Sequence, residues 1–498
     1  MSADVKKLSF WEKAGYGCGD FASVLFWQTI MVYLLFFYTD VFGLAAAAAG
    51  TMIAISRALD AFFDVGIGMT ADRTQTRWGK FRPYLIWMSL PLAIAAVLAF
   101  STPGFSPTGK LIYAYVTFIA FMFFYSAINI PYTSLLGVIS GEPDERTSAS
   151  SFKFVGAYSA GIVVSATALP LSGYFGGGNN AKGWQSTMVL YAVVAVVFFT
   201  IVFFSTHERI QPMSKEKTSV KGDLKDISRN TPWLVLFGVT ILLILFVAIR
   251  LNATVYYFKY YVGEQVVPWL THVTNFAVRN VINPLWGVFG KQPVQLLDET
   301  HRYGYEVLAS FFNVVGQAAS LLGVLLVPWF SRVLGRKNAA IVLFVAAIIS
   351  TGLFFFFRPD DVLWMFVLQI IGSVVGGPIS PLLWAMYADT ADYSEWKTGR
   401  RATGLVYSAS IMSNKLGWAI STAIAGWILA MTGFQANVAQ NLAVLAGIKS
   451  MMSVIPVVPG LAAVLLLIFF YGLNESTVKK IKEEVETRRV AAGVAEAK

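Results

Sequence analysis

The sequence predicts an all-α polytopic membrane protein with twelve transmembrane helices in two six-helix halves. Of the 498 residues, 56% are hydrophobic and only 13% are charged, whereas a soluble globular protein has about 25% charged residues. Runs of about 20 apolar residues, the length that crosses roughly 30 Å of hydrocarbon, recur along the whole chain. One polar, basic segment at 206–232 divides these runs into six and six. The composition excludes a soluble enzyme, a nucleic-acid-binding protein and a disordered scaffold.

The predicted spans divide the chain into an N-terminal half (1–205), a cytoplasmic middle loop (206–232), a C-terminal half (233–473) and a cytoplasmic tail (474–498). Within the C-terminal half, the segment 263–305 is too polar to span comfortably, and we expect a partly helical external cap there. The twelve spans are 15–39, 44–71, 83–101, 111–139, 152–175, 186–205, 233–262, 306–331, 339–357, 362–389, 402–432 and 449–472.

The distribution of basic residues predicts the orientation of the chain. Lys and Arg collect in both terminal segments, in 206–232 and in the loops around Arg77, Arg336 and Arg400, and the alternating connections are poor in them. Basic loops stay on the cytoplasmic side of a membrane. Both termini are therefore expected in the cytoplasm, in an inner (plasma) membrane protein. The same bias accounts for the net charge of 38 − 28 = +10 without nucleic acid as a partner.

The second span carries the strongest group of intramembrane charges, in the stretch RALDAFFD. Asp60 and Asp64 are four residues apart and share one helix face, with Arg57 one turn earlier. Two carboxylates in a low-dielectric site do not both stay ionised cheaply, so one takes a proton or a cation lies between them. This pattern predicts a cation-coupling site. The alternative is a buried ion-pair network that only locks helices together.

Two other ionisable residues stand alone in long apolar stretches, Asp20 in the first span and Lys415 in the eleventh. A charge at mid-membrane costs about 2.5–3.5 kcal/mol on insertion scales, so each is a candidate functional residue. Lys415 is expected to neutralise Asp60 and Asp64 from across the cavity or to donate to a substrate hydroxyl. For Asp20, a salt bridge to Arg57 is the alternative to substrate binding, and the two roles are compatible.

The remaining candidates for substrate binding combine aromatic rings with polar groups. Tyr125 and Asn129 are four residues apart in the fourth span, and Trp27 and Trp384 supply rings that pack on the apolar face of a sugar. For any single Trp, a place in the lipid-facing aromatic belt is the simpler interpretation. Lys153, at the start of the fifth span, either binds a sugar or extends to the membrane interface.

No pattern in the sequence predicts an enzyme, a bound cofactor or a metal site in the spans. The three histidines, His207, His272 and His301, all fall in loops, and no metal-ligand spacing or nucleophile motif occurs in the spans. A phosphate-binding loop of the Walker type is also missing, so ATP is not expected to drive the protein directly.

Several stretches resemble the glycoside–pentoside–hexuronide:cation symporter family of the major facilitator superfamily, which includes the melibiose permease. They cover both halves in order, leave out mainly 263–305, and are more specific than the number of spans. The stretches are GYGCGDFAS, YLLFFYTDVFGL, RALDAFFDVGIG, ADRTQTRWGKFRPY, INIPYTSL, SGYFGGG and YADTADYSEWKTGRRATGLVYSASIMSNKLG.

The resemblance implies roles for individual residues. The sugar-binding positions of the family match Asp20 in the first span, Tyr125 and Asn129 in the fourth, and Lys153 at the start of the fifth. The cation-coupling positions match Asp60, Asp64 and Lys415 in this sequence. A cytoplasmic gate of ion pairs, which closes the inner side when the cavity faces out, matches Asp389, Asp392, Glu395, Arg146 and Arg401.

Three positions depart from the pattern of the melibiose permease. Asn129 stands at an acidic position, Phe63 at a polar position beside the second aspartate, and Thr133 at a sugar-contacting tryptophan. The first two weaken the case for sodium, which needs several oxygen ligands, and favour a proton, which needs one carboxylate. The third leaves the identity of the sugar open.

The sequence therefore predicts a secondary active symporter that imports a glycoside or related sugar, neutral or acidic, by alternating access, functional as a monomer. A proton is the favoured coupling ion, and sodium at Asp60 and Asp64 is second. One alternative is a cation-coupled carrier of another amphiphile, such as a lysolipid. The other is a membrane receptor that does not transport.

Overall fold

The computed structural model describes residues 7–140, 143–209, 230–282, 295–398 and 403–491. Within these ranges the chain forms helices and one short antiparallel ladder, in which β1 (Gln265–Val266) pairs with β2 (Arg302–Tyr303). Ten helical segments of the described residues are long and apolar enough to cross a membrane. The predicted all-α polytopic membrane fold is confirmed.

The predicted spans of the N-terminal half all fall on helices of the structure. The first ends in a π-helical turn (Phe37–Val41), and the third is divided into two helices at Met88. The helices are α1 (Phe10–Phe36), α2 (Ala46–Arg73), α3 (Arg82–Trp87), α4 (Ser89–Ala99), α5 (Pro107–Leu135), α6 (Pro143–Gly176) and α7 (Asn180–Ser205).

The predicted spans of the C-terminal half also fall on helices, several of which are interrupted. Proline has no backbone N–H to donate within a helix, and Pro328 and Pro378 lie at or beside two of these breaks. The helices are α8 (Thr231–Tyr256), α9 (Pro268–Ala277), α10 (Tyr305–Leu325), α11 (Val327–Leu334), α12 (Arg336–Leu353), α13 (Val362–Gly376), α14 (Ile379–Thr398), α15 (Thr403–Thr432), α16 (Leu442–Met452), α17 (Val454–Phe469) and α18 (Glu475–Ala491).

Two predicted spans, 44–71 and 402–432, are not among the ten apolar segments, although α2 and α15 have 28 and 30 residues. Each of these helices contains residues whose side chains lie outside the described part of the structure. Helices α2 and α15 pack against each other across the two halves.

The segment 263–305 and the tail each contain helix. The described part of 263–305 holds β1, α9 and β2, and α9 lies between the two strands in the chain. In the tail, α18 buries Val478, Ile481 and Val485 on one face. Trp396 of α14 donates its indole N–H to Glu484 Oε2 over 2.6 Å. This contact fixes the tail helix against the C-terminal half.

Helices α1 and α6 approach each other closely because glycines occupy their crossing point. A Cβ atom at Gly156 would collide with the carbonyl group of Gly17, and a Cβ at Gly17 would lie 2.6 Å from the carbonyl oxygen of Phe152. The close approach sets the spacing between Asp20 on α1 and Lys153 on α6. It thereby positions two of the predicted substrate-binding residues.

Replacing Gly156 by alanine is expected to lower the thermal unfolding temperature of the purified protein. The added methyl group overpacks the crossing of α1 and α6, a change that costs about 1–3 kcal/mol. Gly173→Ala on the same helix is the matched control, since a Cβ there meets nothing within 4 Å and alanine favours a helix. Equal unfolding temperatures for both variants would contradict this account of the crossing.

Candidate functional site

The centre of the site is a cluster of charges between α2, α5 and α15. Lys415 on α15 donates to Asp60 Oδ2 over 2.7 Å and also forms an ion pair with Asp64 Oδ2. Asp60 is 2% exposed, and its four-residue separation from Asp64 on one helix brings both carboxylates to the same lysine. The structure therefore puts a lysine of the C-terminal half at the position where the sequence predicts a coupling cation.

Ser126 on α5 contacts the same two carboxylates from another side. Its Oγ lies 2.6 Å from Asp60 Oδ1 and 2.8 Å from Asp64 Oδ1. A hydroxyl has one hydrogen to donate, and an ionised carboxylate only accepts. With both carboxylates ionised, one of the two oxygen–oxygen contacts of Ser126 would have no hydrogen between its atoms. With one carboxyl protonated, both contacts are hydrogen bonds.

Arg57 is buried at 4% exposure beside this cluster. Its Nη2 lies 3.0 Å from Met31 Sδ, and its guanidinium carbon lies 5.7 Å from the centroid of the Trp27 ring. Nε and Nη1 have no hydrogen-bond partner among the described residues. Arg57 therefore lies against the aromatic part of the site, and the alternative salt bridge from Asp20 to Arg57 is wrong for this conformation.

Asp20 instead lies near Lys153 of α6, with 3.8 Å between Oδ1 and Nζ. Lys153 Nζ also lies 5.7 Å from the centroid of the Tyr132 ring. Tyr132 is fixed in turn, because its hydroxyl donates to the carbonyl of Tyr16 over 2.8 Å. Both charged groups are therefore held against other residues of the N-terminal half.

The predicted aromatic residues of the N-terminal half form a stack. The Trp27 and Tyr125 rings have centroids 5.4 Å apart and planes inclined by 21°. Asn129 is partly exposed, one turn after Tyr125. On the C-terminal half, Trp384 packs at 5.8 Å from the ring of Tyr387. The first three residues share one region, and Trp384 lies on α14 of the other half.

Two of the positions that depart from the family pattern, Phe63 and Thr133, line pockets outside the charge cluster around Lys415. The Phe63 ring packs edge-on against Phe123 at 5.5 Å, and both line an apolar groove with Trp87 and Met88. Thr133 lines a different pocket, shared with Arg146. Phe63 and Thr133 therefore supply no oxygen ligand to the cluster around Lys415.

The predicted cytoplasmic gate is not assembled from Arg146 in this conformation. Asp389 pairs with Arg336 of its own half, with oxygens 2.8 and 2.6 Å from Nη1, rather than with Arg146. Asp392 and Glu395 follow on the same helix, and Arg401 lies outside the described residues. Beside Arg146, Glu145 forms a 2.9 Å ion pair with Lys13, and this hydrogen bond lowers the pKa of Glu145.

At the end that the sequence predicts to be external, hydrogen bonds join the two halves. Asp40, after α1, accepts hydrogen bonds from Lys259 Nζ at 2.7 Å and from the hydroxyl of Tyr260. Asn437 Nδ2 donates to the carbonyl oxygen of Asp40 over 2.7 Å. We call these four residues the external latch. Since it connects the halves at one end, the structure is closed on the predicted external side.

Sequence reasoning missed several residues that the structure brings into the site. Ser126 directly follows Tyr125 in the chain. No sequence pattern indicates that its hydroxyl contacts Asp60 and Asp64, because these residues lie on a different helix. Arg250 lies in the apolar interior of the seventh span, whose other charge, Lys259, is near the end, so the rule that indicated Asp20 and Lys415 applies to Arg250 as well. Asp40 and Lys259 lie at span ends, where charges are common.

Comparison with known proteins gives one consistent picture. The family described as MFS/sugar transport protein matches residues 15–292 and 301–475. The inner membrane symporter YicJ of Escherichia coli (strain K12) is 34% identical over 96% of this chain and 95% of that protein. The isoprimeverose transporter of Lactiplantibacillus pentosus is 36% identical over 95% and 90%. The crystal structure of the nucleoside transporter NupG shares the fold, with a TM-score of 0.58 at 14% identity, over 93% of this chain and 100% of that chain.

Breaking the external latch with Asp40→Asn is expected to open the predicted external side. An amide keeps the shape but loses the charge that holds Lys259, and charge-assisted hydrogen bonds are worth roughly 1.5–3 kcal/mol. We would place a cysteine at Thr254, which lines the central cavity, in a Cys18→Ala background. Labelling by an impermeant maleimide added outside intact cells should become several-fold faster.

The matched control for this measurement is Asp298→Asn, an exposed carboxylate of the predicted external segment that hydrogen-bonds only within its own turn. It should leave the labelling rate at Thr254→Cys unchanged. Unchanged labelling in Asp40→Asn as well would mean that the latch does not hold this side closed.

Proposed function

Since the chain belongs to the glycoside–pentoside–hexuronide:cation symporter family of the major facilitator superfamily, a family of sugar transporters, we propose that it imports a glycoside or related sugar together with a proton. The proposed activity is secondary active symport, without a catalytic step. The sugar binds between the two halves, and rocking of one half against the other alternates access.

The observation that carries the proposal is the bridging of Asp60 and Asp64 by Lys415. A lysine from one half neutralises a carboxylate pair on the other, so the pair must exchange this lysine for another cation whenever the halves separate there. The energy of that exchange depends on which side is open. This dependence is the requirement for coupling ion binding to a conformational change.

The preference for a proton rests on the surroundings of the carboxylates. When one carboxyl is protonated, Ser126 donates its hydrogen to the ionised carboxylate and accepts the hydrogen of the protonated carboxyl. Phe63 is turned toward Phe123 and offers no oxygen. Sodium would need several oxygen ligands around Asp60 and Asp64, whereas a proton needs one carboxylate.

The sugar is proposed to stack on the aromatic pair formed by Trp27 and Tyr125, because the apolar face of a sugar ring packs against aromatic rings. Asp20 and Lys153, 3.8 Å apart, offer an acceptor and a donor for hydroxyl groups at the same level. Asn129 adds an amide that accepts and donates. Trp384 is the proposed counterpart on the C-terminal half.

A second candidate is a carrier of another amphiphile, such as a lysolipid. The apolar groove lined by Phe63, Trp87, Met88 and Phe123 favours it, with a volume of about 430 Å³ at the surface of the N-terminal half. Such a carrier should tolerate Asp20→Asn, whereas sugar uptake should not. Uptake of a lysolipid, unaffected by Asp20→Asn, would therefore replace the sugar proposal.

Asp60→Asn and Asp64→Asn are each expected to abolish concentrative sugar uptake. An amide neither binds a proton at neutral pH nor neutralises a cation, so the gradient no longer drives the cycle. Sugar-for-sugar exchange, which needs no net movement of the cation, should persist in proteoliposomes. Asp361→Asn, which removes a carboxylate outside the spans, is the control, and full accumulation by both site variants would reject the coupling assignment.

The choice of ion is tested with wild-type proteoliposomes and a panel of neutral, pentose-containing, uronic and sulfonated glycosides. Each sugar is offered with an inward proton gradient in sodium-free buffer, and then with sodium added. We expect accumulation with the proton gradient alone. Accumulation only with sodium would reject the proton, and transport of no glycoside under either gradient would reject the sugar.

A further inference from the structure

The seventh span contains an arginine that the proposed mechanism does not use. Arg250 lies on α8, twelve residues before Val262 at the end of the following π-helical turn. At 1.5 Å per residue this is about 18 Å from the helix end, near the middle of a hydrocarbon layer of roughly 30 Å. A guanidinium stays protonated in proteins, so a full positive charge lies deep in the membrane.

No carboxylate of the described residues pairs with this charge. Nη2 donates to Gln369 Oε1 over 2.8 Å, and the guanidinium carbon lies 4.3 Å from the Phe354 ring centroid and 5.9 Å from that of Phe312. Nε is buried without a hydrogen-bond partner in the described part of the chain. Arg250 therefore keeps donor capacity that the protein does not fill.

Two of the other deep cations of the site lie directly against carboxylates, Lys153 beside Asp20 and Lys415 beside Asp60 and Asp64. Arg57 contacts Met31 and the Trp27 ring and lies on the same helix as the carboxylate pair. Arg250 has only a neutral amide and two rings. Because a buried charge is costly unless it is paired, a group from outside the protein is the natural partner.

Arg250 faces a cavity of about 400 Å³, within the range of roughly 300–1,000 Å³ that is usual for small-molecule sites. Of the described residues that line it, Arg250 alone is charged, and the others are apolar or offer neutral amides and hydroxyls, such as Gln28, Asn313 and Gln369. Such a lining suits a polyol with one negative charge.

The cavity is lined mainly by residues of the C-terminal half, and it reaches the N-terminal half at Gln28. Gln28 of α1, which directly follows Trp27, lines it from the N-terminal half. Gln317 of α10 also lines it and donates to Ser165 Oγ of α6 over 2.5 Å. A ligand held by Arg250 would therefore touch both halves, as alternating access requires.

We propose that Arg250 binds an anionic group of the substrate, so that the protein prefers sugars bearing a carboxylate or a sulfonate over their neutral counterparts. The guanidinium presents N–H donors in a planar fork that matches such groups. The amides and hydroxyls of the cavity wall then hold the ring hydroxyls. This inference rests on the proposed sugar transport and adds the substrate class to it.

The test compares matched sugars on the same purified protein. Methyl β-glucoside and methyl β-glucuronide differ only in a neutral or a carboxylate group at C6, and the corresponding galactoside and galacturonide form a second pair. Binding of each sugar is measured by calorimetry, and uptake is measured in proteoliposomes. The ratio of acidic to neutral affinity on each variant is the readout, because it cancels any loss of folded protein.

Wild type should bind the acidic member of at least one pair about 10-fold more tightly, the size of one charge-assisted hydrogen bond. Arg250→Gln should bring that ratio close to one, and Arg250→Lys should retain part of it. Lys449→Gln is the matched control, since Lys449 also lies over aromatic rings, those of Tyr261 and Phe355, but does not line the cavity. It should keep the wild-type ratio.

The outcomes separate the two proposals. If neutral sugars are transported with a cation gradient but wild type shows no preference for acidic ones, the role of Arg250 is rejected and the sugar symporter stands. An unchanged ratio in Arg250→Gln rejects it as well. If neither member of either pair is bound or transported, both proposals fail.

Discussion

The structure depends on one electrostatic constraint, which is that charges buried in a membrane need partners. Lys415 satisfies this constraint for Asp60 and Asp64 by reaching from the C-terminal half to the N-terminal half. Breaking such a contact without a replacement would leave two carboxylates in a low-dielectric region, and the penalty is several kcal/mol per ion. In the proposed mechanism, a cation replaces Lys415 at these carboxylates when the halves move apart there.

The rest of the site consists of charged, aromatic and polar side chains on both halves. On the N-terminal half, Asp20 is held near Lys153, while Trp27 and Tyr125 present flat apolar surface. On the C-terminal half the wall is lined by amides and hydroxyls around a single cation. A molecule with hydroxyl groups and an apolar face would complete hydrogen bonds on both sides.

The conformation follows from where the halves touch. The external latch joins them at one end, the contact of Lys415 joins them near the middle, and Asp389 at the other end is bonded to Arg336 within its own half. The cytoplasmic gate stays a prediction, because Arg401 lies outside the described residues. A carrier that alternates access needs two such alternative sets of contacts, each available when the other is broken.

Sequence reasoning reached much of the site because intramembrane charges are rare. Asp20, Asp60, Asp64, Lys153 and Lys415 stand out from apolar surroundings, and the four-residue spacing in α2 already places two carboxylates on one face. The pairing of these residues was harder to predict. The sequence left a salt bridge between Asp20 and Arg57 open as an alternative. The close crossing of α1 and α6 at Gly17 and Gly156 brings Asp20 to Lys153 instead.

The sequence by itself determined the helical membrane fold and indicated most of the charged residues that the structure brings together, because hydrocarbon thickness and the cost of buried charge act on each segment separately. The six-plus-six division stays a prediction. Only the tertiary structure decided which charges meet, which end is closed, and that Ser126 and Arg250 belong to the central region. These features depend on contacts between helices that are up to hundreds of residues apart, and local composition does not encode such distances.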